Sequence, residues 1–415
     1  MKDTQPLENS SYSTNLPARH RRGNHWQRVF FASTFVGIVA LIVLLLNIIN
    51  SAFGLVAVEN TIDPQDLAIN DIPIQQLHQT DLVYILENNL SAGLIRRLES
   101  ETAWENRSRE EIYDLVVQRV VEPKVVDTWT LFDSLFYRER ITSTLQDDHP
   151  EAVLEFRSWL SADFLVNPQS PDPERAGVRT AILGSLWTIS ITILFSFPMG
   201  VGAAIYLEEY ATDTPLNRLI QTNINNLAGV PSIIYGMLGL AIFVRVLEKI
   251  TSGALFGVVD QTTANGRTVL SAGLTLGLLV LPLIIINAQE AIKAVPNSLR
   301  QASYGMGATK WQTVWYHVLP NALPGILTGA ILAISRAIGE TAPLVVVGAS
   351  TFITFDPKSP FSKFTTLPIQ IWQWTARPQD EFRNIAAAAI LVLLGLLLTL
   401  NAVAVLLRNR YSTRN

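Results

Sequence analysis

Long apolar segments constrain the fold of this chain more than any other feature. Six runs of mostly apolar residues approach or exceed the roughly 20 residues that a helix needs to cross a lipid bilayer. Backbone polar groups in lipid must be satisfied within the segment itself, so each run is predicted to be a membrane-spanning helix. The predicted spans are residues 30–58, 180–207, 230–247, 270–288, 319–347 and 385–407. The predicted fold class is therefore an all-α membrane protein with six transmembrane helices.

Acidic residues are concentrated between the first two spans. Residues 60–175 hold 22 Asp and Glu against 10 Lys and Arg, in a chain with 35 acidic residues in total. Apolar residues recur there at helical spacing in residues 81–98, 110–121 and 151–165. We expect residues 59–177 to form a mostly helical extracytoplasmic insertion after helix 1, ending in a proline-rich linker, NPQSPDPE.

Both ends of the chain are basic. Residues 1–29 carry a basic cluster directly before the first span, and residues 408–415 form a basic tail. Loops on the cytoplasmic side carry an excess of Lys and Arg, so we predict that both termini are cytoplasmic. The first span is too long for a cleavable signal peptide. The basic residues of the first segment are Lys2, Arg19, Arg21, Arg22 and Arg28.

A polar stretch separates the fourth and fifth spans. It reads EAIKAVPNSLRQASYGMGATKWQTVWYHVLP over residues 290–320. We predict a short helix over residues 296–308, because Pro296 suits a first helical turn and Gly305 and Gly307 suit a helix end. Its small residues fit a groove in another protein, and an ordinary surface loop is the open alternative.

The fifth span carries a charged pair. Arg336 and Glu340 lie four residues apart, on one face of a helix, about halfway through an apolar segment. A charge at mid-bilayer costs about 2.5–3.5 kcal/mol, so the pair is expected to face the bundle interior or a watery path. A guanidinium group offers a planar donor fork to a tetrahedral oxyanion. Glu340 either accepts a hydrogen bond from a protonated oxygen of the anion or holds the arginine in place. Thr341 and Pro343 are predicted to break the helix beside the pair. Thr341 is also a candidate residue of the substrate path. The alternative is a structural ion pair.

Several chemistries are excluded by the sequence. The chain has no cysteine, so it forms no disulfide, thiol nucleophile or Cys-ligated metal site. Its five histidines show no HxxxH or HxH pair. No GxxxxGK[ST] motif is present, so ATP must be bound by a partner. We predict no catalytic residue, no metal and no bound cofactor. A basic cluster directly before a span favours a topological role over nucleic-acid binding.

The polar stretch resembles the cytoplasmic coupling loop of bacterial ABC importer permeases, here residues 289–318. That pattern reads EAA, three residues, Gly, nine residues, Ile, one residue and Leu-Pro. In this sequence Gln301 replaces the glutamate of the pattern, and His317 replaces the isoleucine. The resemblance therefore implies docking to an ATPase but no salt bridge through that glutamate. The matching positions are Gln301, Ala302, Ser303, Gly307, His317, Leu319 and Pro320.

A closer resemblance covers roughly Gly177 to the C-terminus, more than half of the chain, and includes the predicted permease core, residues 178–407. Four segments in order, GAAIYLEEYA, NLAGVPSIIYGMLGLA, VPNSLRQASYGMGATKWQTV and IGETAPL, are similar to the PstA-type permease subunit of the bacterial ABC phosphate importer. The resemblance implies an integral protein of the bacterial plasma (inner) membrane that imports inorganic phosphate by alternating access. It also implies a second, PstC-type permease, two ATPase subunits that bind ATP-Mg, and a phosphate-binding protein. The insertion is larger than in shorter family members.

Other functions stay open at this point. The same architecture could carry phosphonate, sulfate or molybdate, because one arginine does not distinguish these anions. A membrane sensor would bind a ligand in residues 59–177 and exist as a solitary chain, whereas a transporter subunit copurifies with a permease and an ATPase. An ion channel is disfavoured because no ring of pore-lining charges is evident.

Overall fold

The computed structural model describes residues 15–70, 72–258, 266–350 and 352–412 of the 415-residue chain. Lys2 and the last three residues of the basic tail lie outside the described residues. The helices in chain order are α1 (Leu16–Ala52), α2 (Gln79–Asn89), α3 (Ala92–Glu101), α4 (Arg109–Val116), α5 (Leu131–Phe136), α6 (Arg138–Asp148), α7 (Ala162–Val166), α8 (Arg179–Ile205), α9 (Pro215–Ala228), α10 (Ser232–Gly239), α11 (Glu248–Thr251), α12 (Val269–Lys293), α13 (Asn297–Gly305), α14 (Lys310–Thr313), α15 (Leu319–Ile338), α16 (Ala342–Val347), α17 (Leu367–Thr375) and α18 (Asp380–Ser412).

Five of these helical segments are long and apolar enough to cross a membrane. They are α1, α8 with the π-helical turn Tyr206–Tyr210, α12, α18, and the continuous helix from Lys310 to Ile338 that joins α14 and α15. The pair formed by α9 and the segment Ser232–Val246 bends by 107° and makes a sixth crossing if it is counted as one span. The predicted multi-span helical architecture is confirmed.

Three predicted spans differ from the structure. The first helix ends at Ala52, and Phe53–Asn60 form strand β1 instead of the end of a span at residue 58. A short apolar run does not by itself distinguish a buried strand from a helix, and here strand pairing decides. The third span, predicted as residues 230–247, is the bent pair, broken at Gly229 and Pro231. The fifth, predicted as residues 319–347 with a break at Thr341 and Pro343, starts earlier, at Lys310, and breaks after Ile338.

The insertion is not all helical. Strands β1 (Phe53–Asn60), β2 (Pro123–Thr128) and β3 (Val153–Ser158) form an antiparallel sheet in the order β2-β1-β3. The central strand pairs Val56 with Thr128 on one side and with Glu155 on the other. A separate core of α2, α4 and the turn that follows α4 packs beside the sheet, around Leu82 and Ile112. The insertion is therefore a mixed helical and sheet domain.

The proline-rich segment before α8 is packed rather than a free linker. Gln169 is buried, donates from Nε2 to Gln373 Oε1 at 2.7 Å and accepts from the Ile353 backbone N–H at 3.0 Å. Gln370 Nε2 donates to the Gly177 carbonyl at 2.8 Å. The prolines prevent a helix here, and bonds to the later outer segment fix the chain instead.

A buried apolar cluster joins the insertion to the helices. It unites the end of α1 and strand β1 with α17 and α18, through side chains such as Val56, Trp159, Trp374 and Phe382. A second cluster lies between α8, α12 and α15, around Ile189 and Ile284. The helix bundle and the insertion thus share one packed junction.

Candidate functional site

The predicted charged pair lies where the fifth span breaks. Arg336 Nε donates to Glu340 Oε1 at 3.2 Å. Helix α15 ends at Ile338, and the backbone N–H groups of Gly339 and Glu340 close the last turn. Thr341 then begins α16, with Pro343 in its first turn. The structure therefore brings Arg336, Glu340 and Thr341 together at one helix break.

Close packing holds this break in place. A Cβ atom on Gly236 of α10 would lie 2.6 Å from Pro343 Cα, so the two backbones touch where only glycine fits. Tyr235 is buried beside this contact, and its hydroxyl donates to the Leu227 carbonyl at 2.8 Å, across the bend between α9 and α10. The two interrupted segments of the bundle, the bend and the break, thus support each other.

The two charges differ in exposure. The Glu340 side chain is 16% exposed and the Arg336 side chain is 47% exposed. Within the part of the chain that the structure describes, Arg336 bonds through Nε alone, which leaves its terminal nitrogens Nη1 and Nη2 accessible. An arginine at membrane depth requires water or a protein partner. The guanidinium group is therefore paired with Glu340 through Nε, and about half of the Arg336 side chain stays exposed.

The predicted coupling helix is α13. Pro296 precedes its first turn, and Gly307 follows it in the left-handed region with φ of +82°. Gln301 and Ala302 are exposed, whereas Ser303 is buried and its hydroxyl lies 2.9 Å from that of Thr313. A capping box of Thr309 and Gln312 then starts α14. Of the remaining matched positions, His317 is exposed, whereas Leu319 and Pro320 are half-buried at the start of α15.

A buried ion pair fastens α13 to the end of α8. Arg300 donates from Nε and Nη2 to Glu209 Oε1 at 3.1 and 2.7 Å. The two side chains are 15% and 6% exposed. Arg300 also donates to the carbonyls of Val295 and Ile292 at 2.7 and 3.0 Å. This arginine therefore satisfies both a carboxylate and the carbonyls at the end of α12.

A second polar network lies beside this pair. Glu208 Oε1 accepts from Gln289 Nε2 at 2.9 Å and lies 3.3 Å from Lys293 Nζ. Gln289 also bonds Gln221 of α9. Lys310 Nζ lies 5.3 Å from the centre of the Tyr210 ring, in a cation–π contact. Helices α8, α9, α12 and α13 are thus joined by polar contacts at one end of the bundle.

The sequence prediction missed this role of Glu209. Two adjacent acids at the end of an apolar span, in LEEY, are a visible signal, but nothing in the sequence places Arg300 beside them. The pair lies at the Tyr210 end of α8, whereas the insertion lies at the Arg179 end. The predicted coupling segment, residues 289–318, and the insertion therefore occupy opposite ends of the bundle.

Comparison with known families agrees with this architecture. Residues 182–413, more than half of the chain, match the model of the binding-protein-dependent transport system inner membrane component. The chain belongs to this family. It is thus a multi-pass inner membrane protein and the non-catalytic permease component of an ABC importer, in which ATPase subunits and a binding protein are separate components.

Named relatives include a probable ABC transporter permease, YqgI, of Bacillus subtilis, which is 31% identical over 59% of this chain and 83% of its own length. The phosphate transport system permease PstA 1 of Mycobacterium tuberculosis is 33% identical over 57% of this chain and 72% of its own. The phosphate transport system permease PstC of Pasteurella multocida is 32% identical, over 58% and 75%. The similarity thus extends to both permease types of phosphate systems.

Proposed function

We propose that this chain is a PstA-type permease subunit that imports inorganic phosphate. The observation that carries the proposal is Arg336, held by Glu340 at a helix break with its terminal nitrogens open. Phosphate is a tetrahedral oxyanion that a guanidinium fork matches in a bidentate manner. The names of the PstA and PstC relatives support phosphate over other oxyanions.

In this proposal, Glu340 has two effects on Arg336. It fixes the guanidinium group through Nε, which leaves the donors of Nη1 and Nη2 for the anion. Its negative charge also weakens anion binding, which keeps the site from retaining phosphate after transport. Thr341 lies at the same break and offers a hydroxyl group to the passing anion. A PstC-type companion permease supplies the other side of the path.

Transport is driven through the coupling segment. A partner ATPase docks on α13, through Gln301, Ala302, Gly307 and the residues around them. The helix from Lys310 to Ile338 is continuous, so displacement at its start is carried over about 39 Å, at 1.5 Å per residue, to Arg336. The Arg300–Glu209 pair transmits the same displacement to α8. The site then opens alternately to each side of the membrane.

The proposed orientation follows from charge. With the basic termini in the cytoplasm, the coupling segment faces the ATPase subunits and the acidic insertion faces outward. A phosphate-binding protein delivers its ligand on the outer side.

Competition and copurification experiments test this function. Cells that lack their own high-affinity phosphate system receive this chain with its partner subunits, and uptake of labelled phosphate is measured with excess sulfate, molybdate or phosphonate. Phosphate uptake that these anions do not reduce supports the proposal, as does copurification with a second permease and an ATPase. Uptake blocked by one competitor assigns that anion instead. A solitary chain that binds ligand in its insertion supports a sensor.

A further inference from the structure

A short helix of the insertion lies against the outermost turns of α1. Helix α5 packs beside Leu46, Ile49 and Asn50, and an open apolar depression of about 430 Å³ lies between them. The largely exposed apolar side chains on and directly after α5 form the α5 patch, and three of them, Phe132, Leu135 and Phe136, line this depression. The patch residues are Phe132, Leu135, Phe136 and Tyr137, which are 52, 68, 68 and 50% exposed. The Phe132 and Phe136 rings lie 4.7 Å apart, so the patch is contiguous.

Polar contacts set the direction in which α5 faces. Ser134 is buried, donates to the Thr130 carbonyl at 2.6 Å and accepts from the Leu55 backbone N–H of strand β1 at 2.8 Å. The Phe132 backbone N–H donates to Asn50 Oδ1 of α1 at 2.6 Å. The short helix is thus attached to α1 and β1, and its apolar side chains stay exposed beside the outermost turns of α1. An exposed apolar patch of this kind indicates a binding surface.

The depth of the patch follows from α1. The apolar stretch of α1 starts after Arg28, and about 20 helical residues cover the 30 Å hydrocarbon core, which brings its far boundary to Ile49. Leu46 and Ile49, which α5 touches, therefore lie at the edge of the hydrocarbon. Aromatic side chains such as Tyr137 favour this interface. Exposed Arg138 and Arg140 follow directly, where guanidinium groups can reach lipid phosphates.

We propose that the α5 patch inserts into the adjacent leaflet of the bilayer and anchors the insertion to the membrane surface. Phe132, Leu135 and Phe136 enter the upper acyl region, and Tyr137 lies among the headgroups. The insertion is then attached to lipid as well as to the bundle, which fixes its height above the transport path. This inference depends on the membrane spans and not on the identity of the transported anion.

The absence of cysteine from the sequence makes a direct test possible. Nitroxide labels are placed on the full chain at Phe136→Cys and, separately, at Leu135→Cys, in nanodiscs of phosphatidylethanolamine and phosphatidylglycerol. Leu41→Cys on the exposed surface of α1 is the lipid control, and Ser100→Cys on the exposed surface of α3 is the water control. Electron paramagnetic resonance then measures collisions with oxygen and with a water-soluble nickel chelate.

The proposal predicts an oxygen-to-nickel collision ratio at both patch positions that is several-fold above that of Ser100→Cys and below that of Leu41→Cys, which lies deeper in the hydrocarbon. A ratio equal to the Ser100→Cys value would place the patch in water and overturn the proposal. Low collision rates with both reagents, in the chain alone or only after the partner subunits are added, would show a protein cover and overturn it as well. If the Phe136→Cys protein cannot be reconstituted into nanodiscs, the Leu135→Cys protein alone decides between these outcomes.

Discussion

Arg300 of α13 and Glu209, in the turn that ends the α8 span, form a buried ion pair at 2.7 Å, so the predicted coupling helix is attached directly to a candidate membrane span. Gln301, at the position where the coupling-loop pattern that this segment resembles has an acidic residue, is exposed next to Arg300 in the sequence. The attachment of this coupling helix therefore uses the acid of α8. Both side chains are largely removed from water, so each charge offsets the desolvation cost of the other. Loss of one partner leaves the other charge buried and unpaired.

Breaking this pair is expected to destabilise and uncouple the permease. Arg300→Met leaves Glu209 uncompensated, and loss of one partner of a buried pair costs about 3–5 kcal/mol. The double variant Arg300→Met with Glu209→Leu removes both charges and is expected to recover most of the stability but not the coupling. Thermal unfolding in detergent and transport-coupled ATP hydrolysis measure the two effects. Lys293→Gln, at a more exposed ion pair, is the control and should change both only slightly.

Gly307 is expected to be required for its backbone conformation. Its φ of +82° is costly for a residue with a side chain, and a Cβ atom at this position would meet no atom within 4 Å, so the cost is strain rather than a clash. Gly307→Val should lower coupled uptake while the protein stays in the membrane, with strain of at least about 1–2 kcal/mol. Gly305→Ala is the matched control, because Gly305 is helical and has the same open space. Equal loss of uptake in both variants would contradict the conformational explanation.

Gly236 is expected to tolerate no side chain. Gly236→Ala places a Cβ atom 2.6 Å from Pro343 Cα, so α10 must move away from the helix break. We expect a loss of about 1–3 kcal/mol of stability and reduced uptake, because Arg336 and Thr341 shift with the break. Gly202→Ala on α8, where a Cβ meets no atom within 4 Å, is the control. Unfolding temperature and initial uptake rate at equal membrane abundance measure both effects.

Glu174 is expected to make the insertion less stable as pH rises. Burial raises the pKa of Glu174 above its ordinary value of 4.5, against the opposing effect of the Arg157 guanidinium. Below pH 4.5 the carboxyl is protonated in both the folded and the unfolded state, so its contribution to the free energy of unfolding is fully present there. That contribution is lost as the pH rises through the folded-state pKa. Glu174→Gln keeps an acceptor for the Val125 N–H and should flatten this fall. The measurement is thermal unfolding against pH.

The exposed acid Glu110 provides the comparison for this titration. Glu110→Gln should leave the pH profile of the wild type unchanged. If the stability of Glu174→Gln falls with pH as steeply as that of the wild type, other groups in the insertion cause the pH dependence.

Much of the bundle could be predicted because lipid imposes length and apolarity on each span. The break at Gly339 and Thr341 was also visible, since the charges and Pro343 interrupt an apolar helix. Strand β1 was not visible, because its apolar residues are buried by pairing with segments about 65 and 100 residues away. The Arg300–Glu209 pair was missed for the same reason, as its partners lie 91 residues apart. The roles of Arg336, Glu340 and Thr341 stay predictions.

Uptake of labelled phosphate at micromolar concentration by Arg336→Gln tests the central claim most directly. The variant is compared with wild type and with Arg336→Lys at equal membrane abundance, in cells that lack their own high-affinity system and supply the partner subunits. The account predicts that Arg336→Gln loses uptake by at least about tenfold, the equivalent of 1.4 kcal/mol, while Arg336→Lys keeps a part of it. Wild-type uptake by Arg336→Gln would contradict the account and show that Arg336 serves only as the ion-pair partner of Glu340.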